Sequence, residues 1–324
     1  LDGDANPSGK LAESYPLALS DTPAYPYRKL RGNCAEYRES IYVGYRYYDK
    51  AKVPLRYPFG FGLSYTRFAY EDLRLSEAGV RFRLRNTGSR AGAEIAELYI
   101  CAAESETFRP EKELKGFAKV FLKAGEEREV FIPFDDKSFR VFDSVANRFL
   151  EESGRYRILI GASAADIRLN GELVRAGEKL GRPDEKKRLP HYFSGAAQQI
   201  GRAEFERLLG RKLERHPIAG ELLRGDALHA LRRSRGLLAR LLYRQLRRAL
   251  NRSAARREPD LNLIFAYHMP FRAFSKFGSG KISPGMTEGL LMMLNGHLFG
   301  GFRKFVIESI KNRRENRRNE KALR

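Results

Sequence analysis

The clearest pattern in the chain is an alternation of apolar and polar residues between positions 68 and 175. Four stretches show it, and their apolar members are Val80, Phe82 and Leu84; Ala96, Leu98 and Ile100; Val130, Ile132 and Phe134; and Tyr156, Ile158 and Ile160. A period of two is typical of a strand with one buried face. Glycine-containing turn signals separate the stretches. About seven strands with turns every ~10 residues predict an all-β sandwich.

Beyond residue 190 the apolar period becomes that of a helix. Apolar residues recur at spacings of three, four or seven, at Leu228, Leu231, Leu238, Leu242, Leu246 and Ala249. Arginines fall on the opposite face, at Arg233, Arg240, Arg244 and Arg247. This pattern predicts a helix of about five continuous turns whose leucine stripe docks on a protein core. Ser283 and Pro284 have the character of a second helix start.

The first 64 residues are rich in turn formers and tyrosines and are too irregular to predict an independent domain. Within them, residues 41–48 have the β-branched and aromatic composition of a strand. Taken together, the patterns divide the chain into four parts. These are residues 1–64, a β-sandwich over 65–176, a charged linker over 177–190 that holds Gly181 and Pro183, and a basic α-helical extension over 191–324.

Charge separates the two halves of the 324-residue chain. The net charge is +21, yet residues 1–180 carry 29 basic and 27 acidic side chains, whereas residues 181–324 carry 32 and 13. Eleven arginines lie between Arg224 and Arg257, with Asp226 as the one acid. Phosphates or an anionic membrane could bind such a segment. These arginines are not interleaved with aromatics and match no nucleic-acid motif. We therefore favour a docked structural helix over binding to nucleic acid or membrane.

Candidate chemistry is sparse. Cys34 and Cys101 are too few for a disulfide framework, which favours a reduced, cytoplasmic setting, and no apolar run reaches the ~18 residues of a membrane span. Ser64 lacks the second glycine of a nucleophile elbow, and residues 60–62 are too short for a phosphate-binding loop. The histidines are scattered, at His191, His216, His229, His268 and His297. We assign no catalytic, cofactor-binding or metal-ligating residue and expect no cofactor.

Five ordered motifs in the first 175 residues resemble the C-terminal part of glycoside hydrolase family 3, which contains β-glucosidases and β-xylosidases. They are NPSGKLAESYP (6–16), YRESIYVGYRYYD (37–49), PFGFGLSYT (58–66), RPEKELKGF (109–117) and GRYRILIGAS (154–163). The resemblance implies that residues 1–64 end an α/β sandwich domain and that a fibronectin type III-like domain follows. LPHYF (189–193) and MPFRAF (269–274) resemble, more weakly, a helical extension of some bacterial members.

The family's catalytic residues do not carry over to this chain. The resemblance implies retaining hydrolysis of β-linked sugars by an aspartate nucleophile on a (β/α)8 barrel and a glutamate acid/base, both upstream of residues 6–9. Retention requires both carboxylates. Because the chain opens at Leu1 inside a motif, we expect a C-terminal portion that is inactive alone and that stabilises the catalytic domains. Its partners would be those domains and, in the intact enzyme, a β-glycoside.

Three motifs have a binding interpretation and a structural one. The tyrosines of residues 37–48 could stack on a sugar, but we favour packing against the missing domains. Residues 58–62 are interpreted as a backbone-shaping turn. Arg109-Pro110 and Lys112-Glu113 are interpreted as orienting a loop of the sandwich rather than contacting substrate. The alternative for the whole chain is a free-standing accessory module whose basic helices bind an anionic partner.

Overall fold

The computed structural model describes residues 3–29, 35–143, 146–180, 184–213, 218–255, 259–278 and 280–322. Its contacts divide the chain into two compact units. Unit 1 contains residues 3–29 and 37–212, and unit 2 contains residues 35–36 and 213–322, within the described ranges. Cys34, Gly181, Pro183, His216, Arg256 and Arg257 lie outside the described residues.

Unit 1 is built on antiparallel strands. They are β1 (Tyr15–Pro16), β2 (Leu55–Tyr57), β3 (Phe68–Ser76), β4 (Gly79–Asn86), β5 (Gly92–Ala102), β6 (Glu113–Leu122), β7 (Glu127–Pro133), β8 (Arg140–Asp143), β9 (Arg148–Glu151), β10 (Gly154–Gly161) and β11 (Ile167–Arg175). One sheet has the order β11-β10-β5-β6 and the other β3-β4-β7. β1 pairs with β2, which lies far along the chain, and β8 and β9 are consecutive strands that pair with each other. The seven strands of the two larger sheets form the predicted sandwich.

The alternating residues form the core of this sandwich, as the period of two predicts. Phe82 on β4, Leu98 on β5 and Ile158 on β10 are completely buried, and Ile132 on β7 packs against them. The intervening polar side chains point to the other face of each sheet. The fold class predicted from the alternation is confirmed in this part of the chain.

Residues 41–48 do not form the predicted strand. Gly44, with φ of 55°, precedes helix α1 (Tyr45–Ala51), and the helix buries Tyr47 and Tyr48 on one side. The aromatic composition reflects burial against neighbouring elements rather than sheet pairing. This interpretation of composition was wrong because aromatic side chains pack equally well from a helix when a surface covers them.

The predicted linker is partly helical and leads into further helices of unit 1. These helices are α2 (Glu185–Arg188), α3 (Pro190–Ser194) and α4 (Arg202–Leu209). The described chain therefore changes unit at Lys212 rather than at residue 190. The physical reason is burial: Tyr192 of α3 and Phe205 of α4 are covered within unit 1.

Unit 2 is helical. Its helices are α5 (Leu237–Ala255), α6 (Leu261–His268), α7 (Phe274–Phe277), α8 (Pro284–Leu294) and α9 (Leu298–Ala322), and a 3-10 helix spans Leu228–Arg233. Its core combines Leu231, Ala239, Phe271, Leu291 and Leu294 with neighbouring apolar residues. Ser283 caps α8 as predicted, because its Oγ accepts a hydrogen bond from Met286 N at 3.2 Å.

The leucine stripe of unit 2 is not the continuous helix that the periodicity predicts. Residues 234–236 separate the 3-10 helix from α5. Ser234 Oγ donates to Leu294 O at 3.1 Å, and a Cβ on Gly236 would lie 2.1 Å from the same carbonyl oxygen. The chain bends here because its backbone passes directly against the end of α8, where a side chain has no room.

Candidate functional site

The candidate functional site is the surface along which residues 3–29 and 37–64 attach to the sandwich within unit 1. Lys10 from the NPSGK motif enters this surface. Its Nζ donates to Oε1 of Glu94 at 2.8 Å, to Ile95 O at 2.9 Å and to Ala162 O. The side chains of Lys10 and Glu94 are 10% and 11% exposed. A charge pair this deeply buried is sustained by complete hydrogen bonding, so each partner depends on the other.

Glu94 has a second donor. Tyr70 on β3 donates its hydroxyl to Oε1 of Glu94 at 2.8 Å, which connects the two sheets through one carboxylate. Burial raises the pKa of Tyr70, and the neighbouring carboxylate raises it further. The tyrosine therefore remains a neutral donor. The charge of Lys10 balances that of Glu94, and the two donors hold the carboxylate in place rather than leaving it exposed for proton transfer.

The PFGFG turn of residues 58–62 lies beside this pair. Gly60 N donates to Leu11 O and Leu11 N donates to Phe61 O, both at 2.8 Å. Gly60 has φ of 80°, and a Cβ there would lie 2.5 Å from the carboxylate oxygens of Glu97. The turn needs glycine for both reasons. It acts as the backbone-shaping element that the sequence predicts.

Glu97 is itself held under the turn. Tyr99 donates its hydroxyl to Oε2 of Glu97 at 2.6 Å, and both side chains are buried. Burial raises the pKa of Glu97, an effect that the hydrogen bond from Tyr99 partly offsets.

Asn6 fastens the other end of the motif. Its Nδ2 donates to Ala91 O at 3.0 Å, and its Oδ1 accepts from Ser64 Oγ at 3.1 Å and from Tyr65 N at 2.9 Å. Ser64 is therefore engaged by an amide rather than by a base. This contact gives the serine a structural role at the junction into β3.

Four tyrosines of residues 37–48 pack against protein, whereas Tyr37 is 72% exposed. Tyr42 donates its hydroxyl to Tyr192 O, and the Tyr45 hydroxyl accepts from Leu114 N at 2.8 Å. The Tyr45 ring lies 5.8 Å from that of Tyr99. Burial raises the pKa of Tyr42 and of Tyr45. The packing interpretation fits these rings better than sugar stacking, although the surface that covers them belongs to this chain.

The 109–117 motif orients a loop through ion pairs. Arg109 Nη1 lies 3.1 Å from Oε2 of Glu152, and Lys112 Nζ lies 2.7 Å from Oδ2 of Asp49 on α1. Burial raises the pKa of Asp49, which Lys112 partly counteracts. Burial alone would raise the pKa of Glu113, but nearby Lys115 outweighs it and lowers that pKa. These contacts match the loop-orienting role predicted for Arg109 and Lys112.

Helices α3 and α4 close the same surface from the other side. Tyr192 donates its hydroxyl to Arg38 O at 2.8 Å, and Arg38 Nη1 donates to Ile200 O at 3.3 Å. His191 Nδ1 lies 2.6 Å from Oε2 of the buried Glu204. Arg38 belongs to the 37–49 motif and Tyr192 to the 189–193 motif. Nothing in the sequence indicates that these two residues, more than 150 positions apart, are in contact.

Two cavities border the surface. One, of about 690 Å³, lies along residues 7–10 and 58–64. The other, of about 670 Å³, is lined by Arg109, Pro110, Phe142 and Phe149 together with charged neighbours. Over the described ranges, no three His, Cys, Asp or Glu side chains meet as a potential metal site. Among the same residues, no helix is long and apolar enough to cross a bilayer.

Comparisons with known proteins agree with this geometry. A fibronectin type III-like domain model matches residues 94–164. Probable β-glucosidase K of Emericella nidulans is 48% identical over 176 residues, which is 53% of this chain and 21% of that protein. Thermostable β-glucosidase B of Acetivibrio thermocellus is 43% identical over 188 residues, covering 56% of this chain and 25% of that protein.

Solved structures give the same result. The glycoside hydrolase family 3 β-glucosidase of Bifidobacterium adolescentis superposes with a TM-score of 0.53 at 35% identity, over 56% of this chain and 28% of that one. The Kluyveromyces marxianus β-glucosidase in complex with glucose gives 0.51 at 37% identity, over 54% and 22%. This chain thus spans about a quarter of the relatives it matches. The matching half corresponds to the non-catalytic C-terminal part of family 3 β-glucosidases.

Proposed function

We propose that unit 1 is the bracing module of a retaining β-glycosidase of the β-glucosidase type, and that it stabilises catalytic domains that carry both reacting carboxylates. The main observation behind this proposal is that Lys10, the PFGFG turn and α1 attach residues 3–29 and 37–64 to the sandwich. This attachment holds the segment rigidly at the surface. In the matching relatives, the corresponding region belongs to a complete β-glucosidase.

The outer side of that segment is suited to further packing. Large apolar side chains remain exposed along it, namely Tyr15, Leu17, Leu19, Tyr37, Val43, Tyr57, Leu63 and Tyr65. A concentration of this kind is typical of an interaction surface. We propose that catalytic domains cover it. Because those domains would carry both reacting carboxylates, we expect the 324-residue chain alone not to hydrolyse aryl β-glucosides.

A cytoplasmic, bacterial setting is part of the proposal. The two cysteines of the sequence are too few for a disulfide framework. Acetivibrio thermocellus and Bifidobacterium adolescentis are bacterial sources of similar proteins, whereas Emericella nidulans and Kluyveromyces marxianus are fungal ones. Fractionation of the native source into cytoplasmic and exported protein tests the location.

A chimaera tests the bracing role. Residues 3–212 replace the matching region of the thermostable β-glucosidase B of Acetivibrio thermocellus, and hydrolysis of an aryl β-glucoside is measured before and after heating. We expect the chimaera to be active, and the same chimaera with Lys10→Met to inactivate faster at elevated temperature. Arg74→Met, at an exposed ion pair, serves as control. Activity that is equally heat-resistant when the module is deleted would contradict the proposal.

A further inference from the structure

The C-terminal helix α9 of unit 2 exposes large apolar side chains. Its inner face packs on α8, where Gly289 and Gly301 approach so closely that a Cβ on Gly301 would lie 2.6 Å from Gly289 O. Phe299 is 93% exposed and Phe302 62%, and Val306 and Ile310 are also exposed. In a well-folded chain such a stripe indicates an interaction surface.

The stripe continues into arginines along one side of the helix. Phe299, Val306, Ile310, Arg313 and Arg317 are separated by seven, four, three and four residues, which keeps them on one face. Residues 311–322 contain six basic and two acidic residues. The N-terminal half of the exposed face is therefore mainly apolar, with exposed Arg303 beside Phe299, and the C-terminal half is cationic.

Charge decides which occupant fits this face. Residues 213–324 carry 24 basic and nine acidic side chains, so a second copy of the chain would meet like charge. A nucleic acid would satisfy the arginines and could stack bases on Phe299 and Phe302, but aliphatic Val306 and Ile310, which lie between those rings and the arginines, offer bases no stacking surface. An anionic bilayer satisfies both halves, since acyl chains accept the apolar stripe and headgroup phosphates accept the arginines.

We propose that α9 binds the surface of an anionic lipid bilayer, with Phe299, Phe302, Val306 and Ile310 at the acyl boundary and Arg313 and Arg317 at the lipid phosphates. The apolar part, thirteen residues from Leu298 to Ile310, is ~20 Å long at 1.5 Å per residue. It lies in the interface rather than spanning it. The inference does not depend on the glycosidase proposal, because it concerns unit 2 alone.

The absence of tryptophan from the sequence gives a direct test. Phe299→Trp places the only tryptophan of the sequence on the stripe, so that its fluorescence can be excited selectively. The 324-residue variant is mixed with vesicles of equal parts phosphatidylglycerol and phosphatidylcholine. We expect a blue shift of the emission and quenching by brominated acyl chains, with neither effect on pure phosphatidylcholine. Phe117→Trp, at a 67% exposed position of β6, is the matched control and should show neither.

Further variants separate the two halves of the face. Adding Arg313→Gln and Arg317→Gln to Phe299→Trp should weaken vesicle partitioning by about fivefold per arginine. Arg67→Gln with Arg85→Gln removes the same charge from exposed positions of unit 1 and should have far less effect. Adding Phe302→Ser and Val306→Ser should abolish quenching by the acyl chains. Circular dichroism confirms that each variant retains its helices.

Three results would overturn the proposal. One is an unchanged emission of Phe299→Trp with anionic vesicles. Another is a blue shift that arises from dimerisation, which sedimentation without lipid would detect. The third is salt-dependent binding of single-stranded RNA that requires Arg313 and Arg317 while vesicles leave the emission unchanged, which would assign the face to nucleic acid.

Discussion

Replacing Lys10 by methionine tests whether the contacts of Lys10 hold the N-terminal segment of unit 1 on the sandwich. The change removes three hydrogen bonds and leaves Glu94, 11% exposed, with Tyr70 as its remaining side-chain donor. Breaking a buried pair by removing one partner costs about 3–5 kcal/mol, because the other charge stays buried and uncompensated. We expect Lys10→Met to lower the stability of unit 1 by that amount.

The measurement uses native-state hydrogen exchange on the whole chain in increasing urea. Peptides from β5 report on unit 1, and peptides from α8 provide an internal standard in unit 2. Arg74→Met breaks an ion pair whose side chains are 67% and 45% exposed and should cost about 0–1 kcal/mol. Adding Glu94→Gln to Lys10→Met should recover part of the loss, because the buried charge is then removed.

Two outcomes would refute the reasoning. If Lys10→Met costs no more than Arg74→Met, the buried pair does not hold the segment. If the double variant loses the sum of the two single losses, the two side chains are not coupled, although their atoms lie 2.8 Å apart.

Three further predictions concern charge, core and helix. Burial raises the folded-state pKa of Glu97 above 4.5, so the free energy of unfolding falls as pH rises from 4.5 through the raised value. Glu97→Gln should flatten this part of the plot of unfolding free energy against pH. Urea titrations at a series of pH values that give the same pH dependence for both proteins would contradict this. Phe82→Asp should unfold the sandwich by circular dichroism, whereas Phe117→Asp should change its stability by less than about 1 kcal/mol. In unit 2, Leu238 is half-buried and Leu237 is 81% exposed. Leu238→Asp should abolish hydrogen-exchange protection in α5, whereas Leu237→Asp should not. Equal effects of the two substitutions would show that the leucine stripe is not docked.

The sandwich could be predicted from the sequence because its information is local. Val80, Phe82 and Leu84 alternate within one strand, and the alternation survives whatever the strand pairs with. The features that the sequence did not predict depend on contacts between residues far apart in the chain. Gly236 looks like an ordinary glycine until the end of α8 is placed against it, and the Lys10–Glu94 pair joins positions 84 residues apart.

The α1 error has a related cause. The composition of residues 41–48 correctly indicates that these aromatics are covered, but it does not determine which backbone presents them. The structure settles this through Gly44, whose positive φ precedes a helix, and through Tyr45, whose hydroxyl oxygen accepts a hydrogen bond from Leu114 N. Local sequence therefore predicted burial better than it predicted geometry.

Three buried acidic residues of unit 1 fit the proposed supporting role. A retaining glycosidase needs one carboxylate free to attack and one free to protonate the leaving oxygen. Glu94, Glu152 and Glu204 are each buried and committed to a cation, a backbone N–H or a neighbouring ring. If one of these carboxylates were freed to react, its hydrogen-bond or ion-pair partner would be left buried without an interaction. The same residues that make this surface rigid are thereby withdrawn from catalysis, which is the division of labour expected of a module that braces reacting groups carried elsewhere.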